Sequence, residues 1–278
     1  MLILSTIQEL RDWRVAMPSP VVFVPTMGAL HEGHLQLMKD ARVLAGESGK
    51  VIVSIFVNPL QFGPKEDFSK YPRELERDAA LCESVGVDAI FAPKAEEMYP
   101  ADRSMIVLEK KLSQVLCGAS RPGHFDGVCT VVLKLFNLVQ ADIAVFGKKD
   151  YQQLAIIRRM VRDLNVPIQI VGSETVRETS GLALSSRNRY LSIEEKQQAA
   201  EIRKGLLLTK HVWESGEKDN ETLRDVFKRH LAENAPLHRL DYIECVDRET
   251  LEPLTNGQGL LATAVFFGAT RLIDNLEL

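Results

Sequence analysis

Short apolar runs alternate along this chain with longer stretches in which apolar residues recur every three or four positions. The runs at residues 21–24, 51–57, 88–92, 143–146 and 168–171 have strand length. After the first, Leu35, Leu37, Met38, Ala41, Leu44 and Ala45 keep a helical spacing that Gly46 stops before the second, so this stretch predicts a β-α-β unit. The same reading predicts helices over 73–85, 126–138 and 151–164. Strands that are apolar throughout and separated by helices predict a parallel sheet covered on both faces. The expected fold is α/β, a Rossmann-like doubly wound sheet with ligands at the carboxyl ends of its strands.

The pattern changes after about residue 175. Residues 193–213 predict one long charged amphipathic helix and 220–233 a second, followed by strand-like runs at 240–246 and 260–267. We therefore expect a Rossmann-like nucleotide-binding domain over 1–175 and a smaller α+β domain over 176–278, with the polar stretch 177–189 at their seam. The chain carries no internal repeat and no low-complexity segment.

Composition narrows the class of protein. The chain has 278 residues, 45% hydrophobic and 26% charged, with a formal net charge of −4. That describes an ordinary globular protein with room for one large or two modest cores. An acidic balance gives no reason to expect a nucleic-acid polymer as partner, since such binders carry a basic face. No apolar run approaches the length that spans a bilayer, so no membrane partner is expected. Cys82, Cys117, Cys129 and Cys245 lie far apart with no C-x-x-C pair, which predicts reduced thiols. Glu9, Arg11 and Asp12 follow the apolar start closely enough to argue against a secretory leader. A cytoplasmic location is the expectation.

Chemistry concentrates where the first predicted strand meets its helix, in Pro25-Thr26-Met27-Gly28-Ala29-Leu30-His31-Glu32-Gly33-His34. A helix start presents unpartnered N–H groups and the positive end of the macrodipole, so an anion is held there before any side chain helps. Gly28 and Gly33 permit a close backbone approach, and His31 and His34 can both donate to phosphoryl oxygens. The bland alternative is that one histidine caps the helix while the other is solvated. A zinc site lacks a second cluster of His and Cys to complete it. The arrangement points to attack on a nucleotide phosphate.

Other segments supply further groups. Gly147-Lys148-Lys149-Asp150-Tyr151-Gln152-Gln153 combines a strand-end glycine with two lysines for phosphate and an acid that can cap the next helix or meet a ribose hydroxyl. Gln153, one turn in, can point back to the crevice. Leu184-Ser185-Ser186-Arg187-Asn188-Arg189 places hydroxyls and guanidinium groups at the seam, where a closing loop would meet a triphosphate. Ser192, with Glu195 three positions on, reads as the cap of the following helix. In Asn58-Pro59-Leu60-Gln61-Phe62-Gly63 the amide of Gln61 offers both a donor and an acceptor to a small polar substrate. In Arg121-Pro122-Gly123-His124-Phe125 the histidine suits loop ordering as well as ligand contact. Gly63 to Asp67 is polar and turn-prone, a candidate gate.

Taken together and in order, PTMGALHEGH at 25–34, FVNPLQFG at 56–63, RPGHFDGV at 121–128, FGKKDYQQ at 146–153 and VRETSGLALSSRNRYLS at 176–192 resemble the pantothenate synthetase family. The likeness covers essentially the whole chain. The histidine pair alone is shared by a wide superfamily of nucleotidyltransferases and class I aminoacyl-tRNA synthetases; the other motifs make the match specific. The resemblance implies an ATP-dependent ligase that condenses pantoate with β-alanine and works as a homodimer with Mg2+. It implies that ATP meets Met27, Gly28, Ala29, Leu30, His31, Glu32, Gly33 and His34, then Gly147, Lys148, Lys149 and Asp150, then Val176 and Leu184, Ser185, Ser186 and Arg187. It implies that Gln61 and Gln153 hold pantoate, Gln61 also meeting β-alanine, and that His34 acts as proton donor. The family commonly has methionine where Leu184 stands, a backbone and apolar contact that leaves the assignment little changed.

A carboxylate does not condense with an amine near neutral pH without activation. The implied route is attack of the pantoate carboxylate on the α-phosphorus of ATP, loss of pyrophosphate, then attack of the β-alanine amine on pantoyl adenylate with release of AMP. His31, His34, Lys149, Ser185, Ser186 and Arg187 are the groups expected to meet the developing charge, with His34, His31, Lys149 and Arg187 as the catalytic set. Two rivals stay open on the residues alone. A nucleotidyltransferase that stops after adenylation would need no amine, and a noncatalytic nucleotide-binding regulator would need the turn but not both histidines, Lys149 and Arg187.

Overall fold

The computed structural model describes residues 1–17, 20–63, 68–255 and 258–278. Strands β1 (Leu2–Leu4), β2 (Val21–Thr26), β3 (Lys50–Ile55), β4 (Ala89–Phe91), β5 (Ile143–Gly147) and β6 (Gln169–Ser173) form one parallel sheet in the order β1-β4-β3-β2-β5-β6. The helices that connect and cover it are α1 (Ile7–Val15), α2 (Glu32–Ala45), α3 (Leu75–Ser84), α4 (Ala95–Met98), α5 (Leu116–Ser120), α6 (His124–Val139) and α7 (Tyr151–Asp163). Beyond β6 come α8 (Ile193–Ala199), α9 (Glu201–Glu214) and α10 (Asn220–Asn234), then an antiparallel sheet of β7 (His238–Asp247), β8 (Gly259–Phe267) and β9 (Thr270–Glu277).

Alternation along the central strands explains why they are apolar throughout. Val22 and Val24 pack with Leu35, Met38 and Ala41 of α2, whereas Val21 and Phe23 face the opposite cluster, which includes Leu135 and Phe136 of α6 and Leu154 and Ile157 of α7. Burial on both faces removes any need for a polar position. The chain runs from β2 through α2 to β3 on one side and later returns to place β5 on the other side of β2. That reversal between β2 and β5 opens a crevice at their carboxyl ends, the usual ligand site of an open α/β sheet.

The second sheet also buries both faces. Leu261, Val265 and Phe267 of β8 join Leu206, Leu223, Phe227 and Leu231 of α9 and α10, while Leu260 and Ala262 join the core of the first sheet. The smaller α+β unit is thus keyed into the larger one by alternate residues of a single strand.

Several features depart from the sequence expectation, among them the short helices α4 and α5, which it does not contain. The helix over 193–213 is two helices, α8 and α9, meeting at the buried Ala199 and Ala200. Ala200 keeps helical angles (φ −63°, ψ −23°), so no helix-breaking residue stands between them. The apolar pattern predicts neither β1 nor α1, although Thr6 and Glu9 form a capping box, with Glu9 N–H donating to Thr6 Oγ1 at 3.2 Å and Thr6 N–H to the Glu9 carboxylate at 2.9 Å. Nor does it predict β9, because the alternation there is interrupted by the buried polar pair Asp274 and Asn275.

Candidate active site

The histidine pair sits at the start of α2, where the crevice opens. His31 is the N-cap, in extended conformation, and its Nδ1 accepts from the Gly33 N–H at 3.1 Å. His34 Nδ1 accepts in turn from the His31 N–H at 3.3 Å, and the ring centroids lie 4.1 Å apart. The capping role expected for one histidine is that of His31, whereas His34 is buried against it and not solvated. Because each Nδ1 is an acceptor, each neutral ring carries its proton on Nε2. Burial, with Lys149 adding to it, pushes His31 down to about 4. Burial and then the charge of His31 push His34 down to about 3. At neutral pH both rings are uncharged Nε2–H donors.

The glycines of this turn have separate physical reasons. A Cβ on Gly33 would stand 2.8 Å from His31 Cε1, so any side chain there displaces the cap. Gly28 has φ +68°, and a Cβ would stand 2.6 Å from Oδ2 of the buried Asp78. Asp78 reaches across from α3 to accept from the Leu30 N–H at 2.8 Å, and the Tyr71 hydroxyl donates to the Gly28 carbonyl at 2.7 Å. Desolvation raises the Asp78 carboxyl above its ordinary range. Neither Tyr71 nor Asp78 was found from sequence, because the contact that gives each its role joins positions far apart in the chain.

The floor of the crevice is an amide network. Asn58 is 1% exposed and caps the turn Pro59–Gln61. Its Nδ2 donates to Gln61 Oε1 and to the Gly127 carbonyl, each at 3.0 Å, and its Oδ1 accepts from the Tyr99 hydroxyl at 2.8 Å. Gln61 Nε2 points to Met27 Sδ at 3.2 Å. His124 Nδ1 meets the Gln61 carbonyl at 2.8 Å and its Nε2 meets the Arg121 guanidinium at 3.0 Å. A carbonyl only accepts and a guanidinium only donates, so this ring is the Nδ1–H tautomer and orders the Gln61 turn. α6 reaches the turn through Gly127, where a Cβ would lie 2.3 Å from the Leu60 carbonyl oxygen.

The remaining wall comes from the carboxyl end of β5 and from the seam. Lys149, Asp150 and Gln153 line the crevice. Lys148 does not: its ammonium is engaged by Glu174 and lies 3.6 Å from Glu277. Asp150 precedes α7 without capping it, and its carboxylate stands 3.6 Å from the Lys149 ammonium. Gln152 is buried and structural, donating to the Leu112 and Val115 carbonyls at 2.7 Å each. Val176 and Leu184 are joined by a backbone bond of 3.0 Å, and both line the crevice with Ser185, Ser186 and Arg187. Ser185 is the cap of the turn Ser186–Tyr190, accepting from the Arg187 N–H at 3.2 Å.

Of the first motif, Met27, His31, Gly33 and His34 line a cavity of about 260 Å³, while Ala29 and Leu30 are buried and Glu32 is exposed. Gly147 lines it too. A larger cavity of about 800 Å³ lies between the two sheets and shares Arg121, Lys149, Gln153 and Arg187 with it. Among the described residues no group of three His, Cys, Asp or Glu is placed to hold a metal ion, and no helix is long and apolar enough to cross a membrane. The candidate gate from Gly63 to Asp67 falls, apart from Gly63, outside the described residues.

Residues 2–277 match the family model for pantoate-beta-alanine ligase. The chain belongs to the pantoate–β-alanine ligase family. It is accordingly an enzyme of that type. A pantothenate synthetase of Akkermansia muciniphila is 54% identical over 263 residues, 93% of this chain and 92% of that one. The crystal structure of the pantothenate synthetase of Thermus thermophilus superimposes with a TM-score of 0.90 at 48% identity, covering 99% of both chains. The pantoate-beta-alanine ligase of Francisella tularensis, described as complexed with beta-gamma ATP and beta-alanine, gives 0.79 at 34% identity, over 99% of this chain and 97% of that one. The doubly wound parallel sheet with a small antiparallel companion is the architecture of this family's solved structures.

Proposed function

We propose that this chain condenses pantoate with β-alanine at the expense of ATP, through a pantoyl adenylate, in the crevice between β2 and β5. The observation that carries the reading is the paired Nε2–H donors of His31 and His34 at a helix start, with Lys149 and Arg187 lining the same cavity. Such donors stabilise charge that grows on the α-phosphoryl group and the departing pyrophosphate, and they act without a proton change on the ring. With its nitrogen so poised, His34 is a hydrogen-bond donor in the adenylation step before it is an acid. The N–H groups at the start of α2 add to the same field.

Pantoate has a carboxylate, two hydroxyls and a quaternary carbon bearing two methyl groups. The amides of Gln61 and Gln153 suit its polar end, and Val128, Val131 and Leu135 of α6 offer an apolar wall for the methyls. The acyl adenylate is hydrolysed by water, so Ser185, Ser186 and Arg187 are assigned to closing over the phosphates, with residues 176–278 as the smaller domain that carries them. Gly147, Val176 and Leu184, which line the cavity, are assigned to ATP through backbone and apolar contact, while Gly28, Ala29, Leu30 and Glu32 are assigned only as the backbone that carries Met27, His31 and His34, and Lys148 only as the backbone beside Lys149, its ammonium being engaged by Glu174. The Francisella tularensis relative described with beta-gamma ATP and beta-alanine supports both ligands here. Mg2+ would arrive on the nucleotide phosphates and neutralise part of their charge, and Asp150, a half-exposed carboxylate lining the cavity, is the group that fits it. The four free cysteines agree with a cytoplasmic site of action. The exposed apolar residues Met105, Ile106 and Leu108 supply a surface for a homodimer.

The test is to follow AMP and pyrophosphate release from ATP with pantoate, with and without β-alanine, for the wild type and His34→Ala. AMP release that requires both substrates and collapses in the variant is the expected result. Release independent of the amine would replace the ligase with a nucleotidyltransferase that stops at adenylation.

A further inference from the structure

Strand β9 separates its contacts by face. Leu272 and Leu276 pack into the smaller unit, while Arg271, Asn275 and Glu277, on the alternate face, reach toward the larger one. Arg271 pairs with Asp241 at 2.7 Å and approaches Cys117 Sγ at 3.4 Å. Glu277 accepts from the Tyr151 hydroxyl at 3.3 Å. Between them Asn275, 9% exposed, donates from Nδ2 to the Lys148 carbonyl and to the Lys149 carbonyl, each at 2.9 Å.

A side-chain amide has two N–H donors, and here both are spent on successive carbonyls of the turn Lys148–Asp150. Two bonds from one rigid group fix the tilt of that turn, and hence the direction in which Lys149 leaves it. Lys149 is the ammonium whose charge both His31 and His34 feel. The neighbouring Asp274 faces the other way and holds Arg177 with bonds of 2.7 and 2.9 Å, at the root of the segment that ends in Ser185, Ser186 and Arg187. One dipeptide of the smaller unit therefore grips both segments that approach the phosphates.

We propose that Asn275 is a positioning residue for the adenylation step, acting through the backbone of Lys148 and Lys149 to aim the Lys149 ammonium at the nucleotide phosphates. The proposal rests on the ligase reading of Lys149. It differs from a simple contact between the two units because its effect passes through one named side chain.

The experiment is a double-mutant cycle of Asn275→Ala and Lys149→Ala, read in pantoate-dependent ATP–pyrophosphate exchange, which needs no amine, alongside thermal unfolding and the KM for β-alanine. Misplacing a group by about 1 Å costs on the order of a hundredfold, so Asn275→Ala should lose about tenfold to a hundredfold in exchange kcat. The KM for β-alanine should stay within about twofold, and the double variant should be no slower than Lys149→Ala alone. Asn275→Leu, similar in size and lacking both donors, repeats the cycle should the alanine variant not fold. Multiplicative losses in the double variant, or wild-type exchange in Asn275→Ala beside a crippled Lys149→Ala, would overturn the inference and leave the ligase reading standing. Exchange that ignores pantoate, or a fully active Lys149→Ala, would overturn both.

Discussion

At the scale of single residues, the site depends on which nitrogen of each imidazole is left over. Nδ1 of His31 and of His34 is used by the backbone, so 15N NMR at pH 6 should find both rings neutral with the proton on Nε2. The same shifts predict the pH response of stability. Both histidines titrate lower in the fold, at about 4 and about 3, than the ordinary 6.5, so between those values the unfolded chain binds more protons. Stability is then fully present above about pH 6.5 and declines as pH falls toward 4. Urea unfolding at pH 7.5 and pH 5 should show the decline, and His34→Asn should reduce it. Gly33→Ala should slow adenylation by about as much as loss of one oxyanion donor, on the order of a hundredfold, because a Cβ there stands 2.8 Å from His31 Cε1. The histidines and this glycine were legible in the sequence because all their mutual contacts lie within four positions. Asp78, Tyr71 and Asn275 were not, since each acts on a turn tens of residues away or more.

At the scale of elements, close approach separates glycines that look alike in the sequence. Gly127 lets α6 touch the turn Pro59–Gln61, where a Cβ would lie 2.3 Å from the Leu60 carbonyl oxygen. Gly127→Ala must push that turn aside, and the KM for pantoate should rise by about tenfold or more, measured in the exchange reaction. Gly147 has ordinary angles (φ −76°, ψ 132°) and the nearest atom to an added Cβ is Leu37 Cδ2 at 3.9 Å. Gly147→Ala should keep the wild-type Tm within about 2 °C. Strands buried on both faces and helices with one apolar stripe were readable from periodicity. Boundaries differ by a residue or so at the ends: Asp88, expected in the strand, lies just before β4, although its N–H donates to the Val51 carbonyl at 2.9 Å and its carbonyl accepts from the Leu2 N–H at 3.0 Å.

For the whole molecule, what stands out is how the smaller unit fastens the segment that lines the crevice. Arg177 and Asp274 form a largely buried pair, their side chains 18% and 4% exposed. Removing the carboxylate leaves a guanidinium without compensation, so Asp274→Ala should cost about 3 kcal/mol in urea unfolding. It should also loosen the segment 176–187, seen as faster hydrogen exchange there than in β2 or β3.

The sequence by itself determined the sheet class, the helix start that carries His31 and His34 at the crevice, and the residue types gathered there, because strand alternation, helix periodicity and turn chemistry are local. Only the tertiary structure decided which of Lys148 and Lys149 faces the crevice, that one long predicted helix is two, and that the final strand holds the lysine turn from the other unit. The lysine outcome and the holding strand come from pairings across as many as 127 positions, such as Asn275 with Lys148, and a one-dimensional pattern carries no signal for the partner that lies at the far end of such a contact.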